Sequence, residues 1–206
     1  TSGQPLTAFD TFRPQAIIFL NEEIQRKNLS QAEYDRRKRL IEEVRDFFDD
    51  GNRFRVYRTK LAAVYSVVKG ISRLYIPEAK PVENTLVAQR RFLSRTLSDE
   101  SLTFLDDFLR SFAVFRDIWK TNWSDEPKLG KVHLADRSRI VLDLLTTTDH
   151  DIVTSVIVTL YRLLEDITTP GIMKSPSTFD SVIASIGSFS TLWRGAYDGG
   201  ASGIDA

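Results

Sequence analysis

Cysteine is absent from this 206-residue chain, methionine occurs once, at Met173, and histidine twice, at His133 and His150. Without thiols there is no disulfide framework, no thiolate nucleophile, no iron–sulfur ligation and no cysteine-bearing zinc site. Two histidines set a low ceiling on metal and acid–base chemistry. A cysteine-free chain is stable in reducing and oxidising spaces alike, so the composition leaves localisation open. Long hydrophobic runs are missing too. Apolar stretches such as Val156-Ile157-Val158 fall far short of the ~18 residues a membrane span needs, and no span is expected. The glycines form neither Gly-x-x-x-x-Gly-Lys-Ser/Thr nor Gly-x-Gly-x-x-Gly, and Gly-x-Ser-x-Gly is also lacking, which leaves no cofactor and no catalytic motif to predict.

An excess of one charge is the last absence, since 28 basic residues balance 28 acidic ones. A surface wholly committed to nucleic acid or to anionic membrane would not be neutral. What is present is ordinary globular material: 42% hydrophobic, 11% aromatic and 27% charged residues, enough to bury a core. A chain that begins at Thr1 and lacks an initiator Met reads as a processed product, an excised fragment or an engineered piece.

Periodicity predicts an all-α fold, an irregular bundle of about seven or eight helices in one domain spanning 1–206. A flexible arm of residues 1–12 precedes it, and a flexible glycine-rich tail, 198–206, follows. Pro14 marks a first helix, with Ala16, Ile17, Leu20 and Ile24 at helical spacing. Ser30-Gln31-Ala32-Glu33 has the form of a capping box, in which two side chains satisfy free backbone N–H groups, and opens a second helix ending at Asp49-Asp50-Gly51. A third runs from Asn52 through Ile71 towards Pro77 and Pro81, and a fourth from Val82 to Leu97, with Arg90, Arg91 and Arg95 outward. Ser98, with Asp99 and Glu100 in the first turn, then caps a fifth, rich in phenylalanine.

The stretch from Trp123 to Gly130 is the clearest break and marks a subdomain boundary if there is one. A sixth helix follows through Ile140, Val141, Leu144 and Leu145. Thr148 caps a seventh through Ile167, whose Val, Ile and Thr content also suits a buried strand. Ser175 opens the last, bearing Phe179, Ile183, Ile186, Phe189 and Trp193.

Chemistry-bearing clusters have simpler readings. Asp149-His150-Asp151 sits at a helix start, where neighbouring side chains diverge and acids cap, and His133 falls in a turn. Asp106 and Asp107 lie four and three residues before Arg110 and predict a helix-surface ion pair. Glu42-Glu43 and Glu165-Asp166 are likewise splayed by adjacency.

Charge is unevenly distributed. Residues 26–95 hold 17 Lys and Arg against 9 Asp and Glu, net +8, whereas residues 96–206 hold 10 against 16, net −6. Within the basic segment Arg36, Arg37, Lys38, Arg39, Arg53, Arg55 and Arg58 are the candidate contacts for a polyanion or an acidic partner, interleaved with Phe54 and Tyr57. Arginine beside exposed rings suits single-stranded RNA, but these rings stand at core spacing, and four consecutive basic residues spread around one helical turn. Trp123 is the candidate interface aromatic, expected to be the most exposed tryptophan.

Together these readings predict a non-catalytic helical interaction or structural subunit with a protein partner or a second copy of itself. Binding of single-stranded RNA or another polyanion is the alternative. A small-ligand sensor or enzyme with its site between helices is the third class.

Overall fold

The computed structural model describes residues 6–55, 57–75, 82–119, 123, 128–130, 132–147, 151–165 and 175–197. The fold is all-α. Seven helices are described: α1 (Ala8–Gln25), α2 (Gln31–Phe48), α3 (Tyr57–Tyr75), α4 (Leu86–Ile118), α5 (Asp136–Thr147), α6 (Asp151–Glu165) and α7 (Pro176–Tyr197). Between α4 and α5 lies one small hairpin, β1 (Lys128–Leu129) and β2 (Val132–His133). The chain divides into two compact units, Thr1–Phe112 and Ala113–Ala206, with the boundary inside α4.

In the first unit α1 starts well before Pro14. Thr7 is its N-cap, and Thr7 and Asp10 form a reciprocal capping box: Asp10 N–H donates to Thr7 Oγ1, and Thr7 N–H to Asp10 Oδ2 at 2.7 Å. Pro14 therefore sits inside the helix, where it removes one backbone donor. Among the described residues of the expected arm, Thr7, Ala8, Phe9 and Phe12 are buried. Phe9 is stacked on Phe108 at 6.2 Å and Phe12 tilted against the same ring at 5.0 Å. The C-terminus closes with Lys27 at φ 61, its N–H on Ile24 O and that of Asn28 on Glu23 O. That is a Schellman turn, with a lysine where glycine is usual.

The capping box of Ser30 and Glu33 opens α2 as the sequence predicts. Its buried stripe, Ile41, Val44, Phe47 and Phe48, meets Phe112 of α4, with rings 5.3 and 5.6 Å apart. Phe54 joins this cluster against Phe47 at 5.5 Å. The third helix begins at Tyr57 rather than Asn52. Asp50 holds the intervening turn, its carboxylate accepting from Asn52 N–H and its carbonyl from Arg53 and Phe54. Such local bonds compete with helix formation.

The expected fourth and fifth helices are one, α4, of 33 residues. Ser98 is not a cap: its Oγ donates to Ser94 O one turn back, and Asp99 pairs with Arg95 at 3.3 Å, an i,i+4 pair that a continuous helix supports. Thr85 instead stands at the start, accepting from Ala88 N–H.

In the second unit α5 and α7 run parallel. Ala135 N–H and Ser138 Oγ donate to the side chain and carbonyl of Asp180, and further along Val141 packs on Gly187. A Cβ built at Gly187 would lie 2.5 Å from Val141 Cγ2 and 2.9 Å from Val141 Cβ, so the crossing depends on glycine. β1 and β2 pair antiparallel, Leu129 with Val132, through Gly130 at φ 57. Strands were not expected between Trp123 and Leu134. Leu129 and Val132 are buried and anchor the hairpin. α6 is helical despite its β-branched content. Val153, Ile157, Val158 and Tyr161 are buried at helical spacing, and burial of one face overrides a small propensity penalty. Ser175 precedes α7, its carbonyl accepting from Phe179 N–H. Thr148, Asp149, His150 and the tail 198–206 lie outside the described residues, as do the side chains of Tyr57 and Trp193.

Candidate interaction surfaces

The seven basic candidates do not form one surface. Arg37 is buried, and its Nε and Nη2 donate to Asp106 Oδ1 and Oδ2 at 2.9 and 2.7 Å. This two-pronged bond consumes the guanidinium and joins α2 to α4 in the core of the first unit. Arg37 is therefore a structural ion pair, not a polyanion contact. The expected pair of Arg110 with Asp106 and Asp107 is replaced: Asp106 takes Arg37, Asp107 Oδ2 accepts from Tyr75 Oη at 2.8 Å, and Arg110 is exposed. Arg53 is also committed, its guanidinium 4.4 Å from the centre of the Phe47 ring and 3.8 Å from Asp50. Arg36, Lys38, Arg39, Arg55 and Arg58 are exposed, and none forms an ion pair with a described residue. Around α2, Arg36 and Lys38 are about 160° apart, which disperses them. Lys38 lies 5.7 Å from the Tyr34 ring.

Trp123 is buried, 6% exposed, contrary to its expected place at the surface. Its carbonyl accepts from Arg139 Nη1 at 2.8 Å, which ties Trp123 itself to α5. Its indole N–H finds no partner among the described residues.

A more coherent basic feature lies on α4. Val87, Arg90, Arg91, Ser94, Arg95 and Ser98 line a shallow open cleft of about 680 Å³ with Gln15 of α1, bridged by Ser94 Oγ to Gln15 Oε1 at 2.6 Å. These positions recur every three or four residues and so share one side of the helix. Arg95 pairs with Asp99, whereas Arg90 and Arg91 form no ion pair with a described residue. Sequence spacing puts these arginines outward but does not bring Gln15 to them; that juxtaposition depends on how α1 packs.

In the second unit the exposed feature is apolar. Ile140 and Leu144 on α5 are 69% and 40% exposed, and Phe189 and Leu192 on α7 are 55% and 70% exposed. Ile140, Leu144 and Phe189 belong to the apolar sets by which the sequence predicts these two helices. The apolar positions 140, 141, 144 and 145 span more than one helix face, so packing Val141 and Leu145 inward leaves Ile140 and Leu144 outside. That width was the available signal.

His133 stands exposed on β2. Among the described residues no group of three or more His, Asp or Glu side chains could hold a metal ion, and no helix is long and apolar enough to cross a membrane. Glu42 is held by Arg13 at 2.8 Å and by Arg45. The Ser30 hydrogen bonds hold the Glu33 carboxyl below its ordinary range, as a capping carboxylate should be. No family model, curated protein or solved structure matches the chain.

Proposed function

We propose that this chain is a non-catalytic interaction or structural subunit that contributes helical docking surfaces to a larger assembly. The observation that carries the reading is the outward side of α5 and α7, where Ile140 and Leu192 each leave about 70% of their surface in water. Fully burying an aliphatic side chain of this size stabilises by ~1.5–3 kcal/mol, so covering two of them would contribute appreciably to an interface. Outward apolar residues on two helices that pack together suit a protein surface better than a charged polymer.

The test is replacement of Ile140 or Leu192 by Asp in the full chain. Sedimentation velocity should show loss of self-association, or capture from the native source should lose a partner that the unaltered chain retains. Neither substitution disturbs a buried side chain, so folding should persist by circular dichroism. An unaltered chain that is monomeric at every concentration and recovers no partner would end this reading.

A second reading, polyanion binding, is favoured by Arg36, Lys38, Arg39, Arg55 and Arg58, all exposed and without an ion pair to a described residue. It predicts affinity for single-stranded RNA that falls steeply with salt and drops on charge reversal at Arg39. No shift with a mixed oligonucleotide pool at low salt would remove it.

A further inference from the structure

We infer that the cleft between α1 and α4 docks an acidic amphipathic segment of a protein partner, an inference that rests on the interaction role proposed above and names a second surface and its chemistry. Three observations on the first unit point there. Arg90 and Arg91 are exposed and unneutralised by any described acid, and Arg95, one turn on, shares its charge only with Asp99 at 3.3 Å across an exposed pair. Ser94, Ser98 and Gln15 add neutral hydrogen-bonding groups between the cations, and no acidic residue lines the cleft.

Apolar surface adjoins the charge. Val87 lines the cleft at 63% exposure, and Leu86 beside it is 40% exposed. On α1, Ile18 is 58% exposed and lies one turn beyond Gln15. Because Phe9 and Phe12 meet Phe108 and Phe104 while Gln15 meets Ser94, α1 and α4 run antiparallel, and that turn leads towards the Val87 end of the row.

Leu86 to Arg95 covers about 13 Å of helix, or two to three turns. A partner helix laid along it would place acids at i and i+4 beside the arginines and an apolar residue at the Val87 end.

The same chemistry discriminates against nucleic acid at this place. Single strands are held by phosphate contacts together with aromatic platforms for the bases. No aromatic residue lines the cleft, and Phe92, next to Arg91 in sequence, is half-buried and packed edge-on against Phe104 at 5.9 Å. Aliphatic groups beside arginines have no comparable use for a base, whereas they match the leucines of an amphipathic helix.

The experiment uses the full chain and a fluorescent peptide of about five helical turns, with glutamates along one stripe and leucines on the adjacent one. A scrambled peptide, polyglutamate of equal length and a mixed oligonucleotide pool are the comparisons, all read by anisotropy. The amphipathic peptide should bind best, and more weakly as salt screens the arginines.

Arg90→Glu with Arg91→Glu should weaken binding roughly tenfold or more, two exposed pairs becoming two repulsions. The milder pair Arg90→Gln with Arg91→Gln should weaken it less, and Val87→Ser should weaken it without changing the salt slope. All three positions are exposed, and circular dichroism checks the fold.

The inference is overturned if no peptide binds at low salt, if the reversed arginines bind as well as the originals, or if polyglutamate equals the amphipathic peptide. It is also overturned if the oligonucleotide pool binds more tightly than the peptide through the same arginines. Association lost through Ile140→Asp while the cleft stays silent would retire the cleft alone; silence of both surfaces would retire the interaction role as well.

Discussion

Arg37 separates a structural from a binding role within one basic run, and its replacement by Ala tests that division. Its side chain is 7% exposed and that of Asp106 26%, with both guanidinium–carboxylate bonds under 3 Å. Removing one partner of a buried, hydrogen-bonded pair costs ~3–5 kcal/mol, because the remaining charge is stranded. Asp106 retains some access to water, which lowers the expected cost to about 2–4 kcal/mol. In a unit of this size each kcal/mol moves the thermal midpoint by several degrees, so the transition should fall by roughly 10–20 °C.

Arg36→Ala, at an exposed neighbour, should stay within about 0.5 kcal/mol of the parent. Urea unfolding of both variants, followed by circular dichroism, reads the difference. Asp106→Leu combined with Arg37→Met should recover much of the loss, since an apolar pair of similar size leaves no stranded charge. If Arg37→Ala unfolds at the parent midpoint, the ion pair does not hold α2 to α4 and Arg37 returns to the surface candidates.

Gly187→Ala should destabilise the second unit despite the gain of about 1 kcal/mol in helix propensity. The new methyl meets both methyls and the Cβ of Val141, so no side-chain rotation relieves it and overpacking of ~1–3 kcal/mol should dominate. Adding Val141→Ala should return part of the loss, and additivity of the two changes in a denaturant series would refute the contact. Glu33 supplies a pH test. Its folded pKa lies below its unfolded value, so its contribution is present above the ordinary glutamate range and is lost as pH falls through the folded value. Glu33→Gln keeps the capping geometry without the charge, and its urea midpoint should converge on that of the parent as pH drops through that window. A gap that is constant with pH would argue against a charged cap.

Helices were legible where local signals agree with burial. Ser30 and Glu33 close a capping box within four residues, and the stripe from Ile41 to Phe48 needs only the period of the helix. The start of α1 was obscured because Pro14 is the stronger punctuation, while Thr7 and Asp10 form the same box with an aspartate in place of the usual Glu. Ser98 followed by two acids resembles a helix start as closely as a mid-helix turn, and only the continuous turn in which Ser98 Oγ bonds back to Ser94 O and Asp99 pairs with Arg95 decides between them. The surfaces were less legible still. Which member of Arg36-Arg37-Lys38-Arg39 turns inward depends on Asp106, 69 residues away. The outward place of Ile140 depends on Gly187 admitting Val141.

The position of Phe9 and Phe12 bears on where this chain can be cut. A fragment opened at Pro14, the boundary that punctuation alone suggests, would discard the wedge on which Phe48, Phe104 and Phe108 close. Those rings would then face water across the mouth of a vacant slot, and such a fragment would aggregate or accept a foreign aromatic segment in its place. A cut that spares Thr7 and Asp10 instead keeps both rings together with the cap that aims them.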